Sequence, residues 1–243
     1  MRKKISPPFS ASQLRVILNE WSERIPATHP VEAYIGGGAA LILSAESQAP
    51  LRKISRRAAD IDYYAVGPHA LIHATQKEVT RQRLAGLDES HPAPHITVFD
   101  FLSNQFIKPF ANNGRGHFSI RNDLVSSNSS GLTVWVLGTK EQLALKTVAA
   151  FAAIAHREKL QEDLDDCSEK VLRNAEISVL KASTDISLLS TMSGVKGIEG
   201  LKENLNNHRH IIDQIYDGFE NIPELRTPWN SLAKTLSINA PRF

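Results

Sequence analysis

The chain has 243 residues, 42% of them hydrophobic and 22% charged, with a formal net charge of +2 at pH 7. That balance excludes a disordered polyelectrolyte and supplies no global basic field of the kind that marks a nucleic-acid binder. The single cysteine, Cys167, excludes an intrachain disulfide and a thiolate metal cage. The basic start "MRKKISPPFSAS" is followed by no apolar core of leader length, and no run reaches membrane-spanning length, so the expectation is a cytoplasmic protein with no membrane partner.

In chain order, "SQLRVILNEWSERI" places Leu14, Ile17, Leu18 and Trp21 at helical three-and-four spacing, with Ser10 or Ser12 as cap. "EAYI" reads as a short strand, Gly36, Gly37 and Gly38 turn the chain, and "AALILSAE" begins a helix. The basic loop "PLRKISRRAAD" leads into "DIDYYAV", Asp60 to Val66, a strand by alternation and β propensity. A helix follows from His69 to Leu84, then a Pro- and His-rich loop and a strand at Ile96 to Leu102.

Between Ser103 and Gly131 the composition is that of loops, with room for a β hairpin. "LTVWVLG" is one more strand, with Trp135 read as core. From Thr139 the chain turns helical, Thr139 and Gln142 forming a capping-box pattern, and two further helices follow Ser193. The expectation is an α+β chain in two parts: 1–138, a small mixed sheet flanked by helices, and 139–243, a helical C-terminal region.

The pattern with chemical content is Asp60-Ile61-Asp62. Residues i and i+2 of a strand share one face about 6 to 7 Å apart, so two carboxylates face one way while Ile61 faces the core. Folding gains nothing from two like charges so placed; a bound cation or nearby arginines relieve their repulsion. A hard divalent ion with oxygen ligands, Mg²⁺ or Mn²⁺, answers that need. The glycine turn offers main-chain N–H groups and a helix N-terminus to an anion, so Gly37 and Gly38 are read as the approach of a phosphate group. A triphosphate held between main-chain donors and carboxylate-bound metal is the equipment of phosphoryl or nucleotidyl transfer.

These motifs, "GGGAALIL" followed by "RRAADID", resemble the signature of the DNA polymerase β-like nucleotidyltransferase superfamily. Within it they are most similar to the AbiEii-type and minimal nucleotidyltransferases, some of them toxins of toxin–antitoxin pairs, whose pattern runs R-x-T-x-D-I-D. Arg56 falls on the arginine, and Ala58 stands where the family has threonine. The resemblance covers roughly Tyr34 to Cys167. It implies the nucleotidyltransferase fold and transfer of a nucleoside monophosphate from an NTP to a hydroxyl. It implies Asp100 in "ITVFDF" as third carboxylate and base, Arg56 and Lys146 as phosphate contacts, and Asp163 and Asp166 as an accessory acidic pair. It further implies an RNA acceptor such as a tRNA end and an antitoxin partner, with antibiotic hydroxyls as another acceptor class.

Each feature also has a plain reading. The glycines can serve a close helix–strand crossing, and Asp60 and Asp62 can be a solvated strand end paired with Arg56 and Arg57. Asp100 can be a turn former, Lys146, Asp163 and Asp166 can be solvated helix positions, and His91, His95, His208 and His210 read as loop or surface histidines. A rival of another class is a chain that keeps the fold and works as a catalytically silent binding partner, which Ala58 in place of the family's threonine favours.

Overall fold

The structure is a computed structural model that describes residues 8–48, 57–83, 98–100, 104–126, 130–162, 169–217 and 223–236. The fold is α+β, and the chain divides into two compact units, Met1–Gly138 and Thr139–Phe243.

In the first unit, α1 (Ala11–Glu23) opens on Ser10, whose hydroxyl accepts from the Gln13 N–H while the Gln13 side chain accepts from the Ser10 N–H. This capping box satisfies two of the backbone donors that a helix start otherwise leaves open. Strand β1 (Val31–Ile35) precedes α2 (Gly37–Glu46), β2 (Ile61–Val66) precedes α3 (His69–Arg83), and β3 spans Phe99–Asp100. Helix α4 (Asn104–Asn112), β4 (Phe118–Ile120) and β5 (Leu132–Leu137) complete the unit.

The sheet has five strands in the order β3-β2-β1-β5-β4. β1 runs antiparallel to β2 and parallel to β5, β2 runs parallel to β3, and β4 runs antiparallel to β5. Alternation splits the strands cleanly. Val31, Ala33, Ile35, Ile61, Tyr63, Val134 and Val136 face a core shared with Leu14, Ile17, Leu18 and Trp21 of α1, Ala39 and Leu43 of α2, and Ile72 and Val79 of α3. The opposite face, by the same registers, carries Asp62, Asp100, Tyr34, Tyr64 and Trp135.

Two segments differ from the expectation set by their sequence. The stretch with loop or hairpin composition contains α4, whose Ile107 and Phe110, three residues apart, are both buried. Pro109 lies inside that helix; its ring removes a donor, and its carbonyl still accepts from the Asn113 N–H. The strand in that stretch, β4, pairs with β5 rather than with a second strand of the same stretch.

The second unit is helical: α5 (Thr139–Glu162), α6 (Glu169–Ser193), α7 (Gly197–Asp217) and α8 (Pro223–Thr235). α5 packs against the other three. Leu143, Val148, Leu189, Leu205, Ile211, Ile212 and Trp229 are its buried anchors. α5 includes Thr139 as its first residue, and the Gln142 Oε1 accepts no hydrogen bond, so the reciprocal half of a capping box with Thr139 is not formed. α6 ends into Gly194 at φ +70°, the left-handed closure that glycine adopts without a Cβ penalty. No helix among the described residues is long and apolar enough to cross a membrane.

Candidate functional site

The site grows from the junction of β1, α2 and β2. β1 ends at Ile35, and the next residue, Gly36, donates its N–H to the Asp62 carbonyl at 2.9 Å. That bond extends the β1–β2 ladder by one step and sets Asp62 beside the start of α2. Ahead of β2, Ala58 and Phe9 exchange both backbone hydrogen bonds, at 2.6 and 2.9 Å, which steadies the chain leading into Asp60. Ile61 is fully buried, and its N–H donates to the Val98 carbonyl at 2.7 Å, which brings β3 alongside. Asp62 and Asp100 are then register partners in parallel strands and project from one face. Asp60 sits one residue before the strand rather than inside it.

The three carboxylates converge. One oxygen from each of Asp60, Asp62 and Asp100 lies within 4.8 Å of the others, and all three side chains are half-buried. An all-oxygen donor set of this kind suits a hard cation. The cluster is a candidate metal-binding site made of the two carboxylates legible as a motif and a third brought in by strand pairing.

The three glycines of the turn stand in different surroundings. A Cβ on Gly36 would meet Ile107 Cγ1 of α4 at 2.7 Å. Gly37 has φ +56°, and a Cβ there would fall 1.5 Å from Asp62 Oδ2, so the carboxylate rests directly on the glycine. Gly38 carries neither constraint: a Cβ would stand 3.7 Å from that of Ala58, an ordinary contact. Positive φ together with the close Asp62 side chain calls for glycine at Gly37, the tight contact at Gly36 is with the end of the Ile107 side chain, and Gly38 is glycine without a steric or dihedral reason. Gly36, at the N-cap, makes no side-chain cap bond, and the first turn of α2 holds no acidic residue of its own.

Among the other residues singled out by their sequence pattern, Arg56, Asp163 and Asp166 lie outside the described residues, as do His91, His95 and Cys167. Arg57 is exposed. Lys146 belongs to the second unit, where its ammonium pairs with Asp185 at 3.2 Å, and Asp185 is 1% exposed. His208 is not a surface residue: it is buried, with Nδ1 2.8 Å from the Asn204 carbonyl and Nε2 3.3 Å from Glu141. Burial pulls its pKa down, but the bonds to Glu141 and to the Asn204 carbonyl outweigh that and hold it above the ordinary value.

A row of rings on the acid-bearing face has no counterpart among the sequence motifs. Tyr34 stacks beside Tyr64 at 6.0 Å and beside Trp135 at 6.2 Å, and Phe118 meets Tyr34 edge-on at 4.9 Å. Trp135 is half-buried, with the Arg115 guanidinium 5.3 Å from its ring centre. Arg115 in turn pairs with Glu32 at 2.6 Å, and the Tyr34 hydroxyl donates to Glu32 at 2.8 Å. Burial, reinforced by that bond, raises the Tyr34 pKa. Strand parity is the signal that could have found the row, since Tyr64 lies two residues beyond Asp62 on the same pleat and Tyr34 is its register partner.

Comparison with protein-family models, with curated proteins and with solved structures finds no match to this chain.

Proposed function

We propose that the protein is a metal-dependent nucleotidyltransferase that moves a nucleoside monophosphate from an NTP to a hydroxyl acceptor. The observation that carries this reading is the convergence of Asp60, Asp62 and Asp100 within 4.8 Å at the glycine turn that opens α2. The donor set fits Mg²⁺ or Mn²⁺, held by these three carboxylates. Such an ion, when bound, neutralises phosphate charge and polarises the phosphoryl oxygens.

The chain's own residues divide the remaining work. Main-chain N–H groups at Gly37 and Gly38, at the positive end of α2, orient the phosphates. Asp100 takes the proton as the acceptor hydroxyl oxygen bonds to the α-phosphorus, while the bond from that phosphorus to the bridging oxygen breaks and pyrophosphate leaves. No covalent enzyme intermediate is needed, and the rate gain comes from positioning and electrostatics. The resemblance to toxin nucleotidyltransferases makes an RNA hydroxyl the first acceptor to try, and an RNA acceptor predicts binding that weakens steeply with salt.

The test is incubation of the purified protein with each radiolabelled NTP, Mg²⁺ and total cellular RNA, with Asp60→Ala and Asp62→Ala as controls. Label transferred only by the native protein supports the reading. Turnover unaffected by both changes removes this site from the mechanism, and Mg²⁺-dependent NTP binding with no product for any acceptor favours a silent binding module.

A further inference from the structure

We infer that the helical unit holds a binding site of its own, a polar cavity at the α6–α7 turn that takes a phosphate ester of a hydroxyl-bearing compound, the chemistry of a sugar phosphate. It lies outside the nucleotidyl-transfer reading and does not depend on it.

The cavity measures about 310 Å³, at the lower end of the range for small-molecule sites. Glycine shapes it. α6 ends into Gly194 at φ +70°, and Gly197 opens α7 at φ +64°, so the chain reverses within a short turn. Gly200, in the first turn of α7, has no side chain to hold Val195 away: a Cβ there would meet Val195 Cγ1 at 3.2 Å. α5 supplies a further wall. Asn204, 4% exposed, donates from Nδ2 to the Lys140 carbonyl at 2.9 Å, and His208, one turn on, lies 3.3 Å from Glu141, so two successive residues of α5 are fixed against α7.

The lining combines two kinds of group. Lys140 and Lys196 bring ammonium donors, and among the described residues neither is paired with a carboxylate. Glu203, Ser193 and Asn204 bring acceptors. Glu203 has no cation partner among the described residues, the Ser193 hydroxyl already donates to the Leu189 carbonyl at 2.7 Å, and the Asn204 amide nitrogen is engaged by Lys140. Two free ammoniums call for an anion, and a phosphate monoester carries close to two negative charges at neutral pH. A bare anion leaves the acceptors unanswered and meets Glu203 as a like charge. Hydroxyl groups beside the phosphate donate to those acceptors, and Glu203 then becomes an attractive partner.

The experiment is calorimetric titration of the full chain with ribose 5-phosphate, inorganic phosphate, ribose and gluconate. It is run in chelator, so that no metal contributes, on the native protein and its Lys140→Gln, Lys196→Gln and Glu203→Gln variants, all at exposed positions. Ribose 5-phosphate is expected to bind the native protein at least about tenfold more tightly than the other three compounds, and each lysine change to weaken it about tenfold. Glu203→Gln is expected to act with opposite signs, weakening ribose 5-phosphate and tightening inorganic phosphate. Gluconate or ribose binding as tightly as ribose 5-phosphate, lysine changes without effect, or Glu203→Gln moving both phosphates the same way overturns the proposal. Absence of ribose 5-phosphate binding overturns it as well, while the nucleotidyl-transfer reading stands or falls separately on metal-dependent label transfer. A short oligoribonucleotide titrated in the same way separates the sources of this chemistry. Lysine-dependent binding tighter than that of ribose 5-phosphate assigns the site to a strand, and weaker binding assigns it to a free sugar phosphate.

Discussion

Both units hold matched charge pairs, and the sheet unit adds a cluster of like charges. In the helical unit, ion pairs join Lys146 with Asp185, His208 with Glu141, and Arg209 with Asp213. The sheet unit has matched charges too, where Arg15 reaches both Glu46 and Asp123 and Arg121 adds a second bond to Asp123, tying α1, α2 and the turn before β5. Yet at the β2–β3 edge the same unit gathers three carboxylates within 4.8 Å. Matched pairs serve the fold; three carboxylates converging at one point form an all-oxygen donor set that suits a hard cation. That contrast separates structural acids from candidate functional ones, and substitutions can break it.

The largest effect is expected at the cluster. Asp60→Ala and Asp62→Ala should each lower Mg²⁺-dependent NTP turnover by at least about a hundredfold while leaving the melting temperature near that of the native protein. A large loss of stability with turnover per folded molecule intact would place these residues among the structural acids. The glycines sharpen the same distinction within three residues. Gly37→Ala should destabilise the protein by about 2 kcal/mol or more, because a Cβ meets Asp62 and φ is positive. Gly38→Ala should change stability by less than about 0.5 kcal/mol and yet weaken triphosphate binding. Equal behaviour in denaturation and binding assays would reduce both glycines to packing.

In the helical unit the expected ordering reverses. Lys146→Ala removes the ammonium beside buried Asp185 and should cost about 2 kcal/mol, below the usual figure for a buried pair because Lys146 is 25% exposed. A turnover defect without a stability defect would instead restore Lys146 as a phosphate contact.

The smallest effects are in pH, and they run in opposite directions. His208 has a raised pKa in the folded state, so its contribution is complete below its unfolded value of about 6.5 and is lost as pH rises through the folded value. His208→Gln should flatten the melting temperature over that alkaline-side window. Asp123 is held well below the usual carboxylate range, first by its bond to Arg121 and then by Arg15. Its contribution is present above about pH 4 and is lost as pH falls through the depressed value, and Asp123→Asn should flatten the acid limb.

The elements that read correctly from sequence are those with strong local signals. α1 has apolar spacing and a cap at Ser10, β1 and α2 flank the glycines, and β5 has an unbroken β-prone run. α4 is hidden in the sequence because proline and asparagine obscure its only buried pair, Ile107 and Phe110. His208 falls on the apolar spacing of Leu205, Ile211, Ile212 and Ile215 along α7, and the Asn204 carbonyl is one turn back on the same helix; only Glu141 is brought to it by the packing of α5 against α7.

The site divides along the same line. Asp60-x-Asp62 and the glycine turn are local patterns: strand alternation places Asp62 on the face opposite Ile61, whereas Asp60 precedes the strand and is seen to join Asp62 only in the folded chain. Asp100 joins them in the sequence through resemblance alone, since nothing near it states its partner. Its register opposite Asp62 is a property of the paired strands. The same holds for Gly37. Three consecutive glycines imply that something comes close to the backbone, and only the tertiary structure decides that in this conformation the close neighbour is Asp62. Local patterns record which face a side chain takes, because that follows from the backbone period; which groups meet across that face depends on strand order and register, which long-range packing decides.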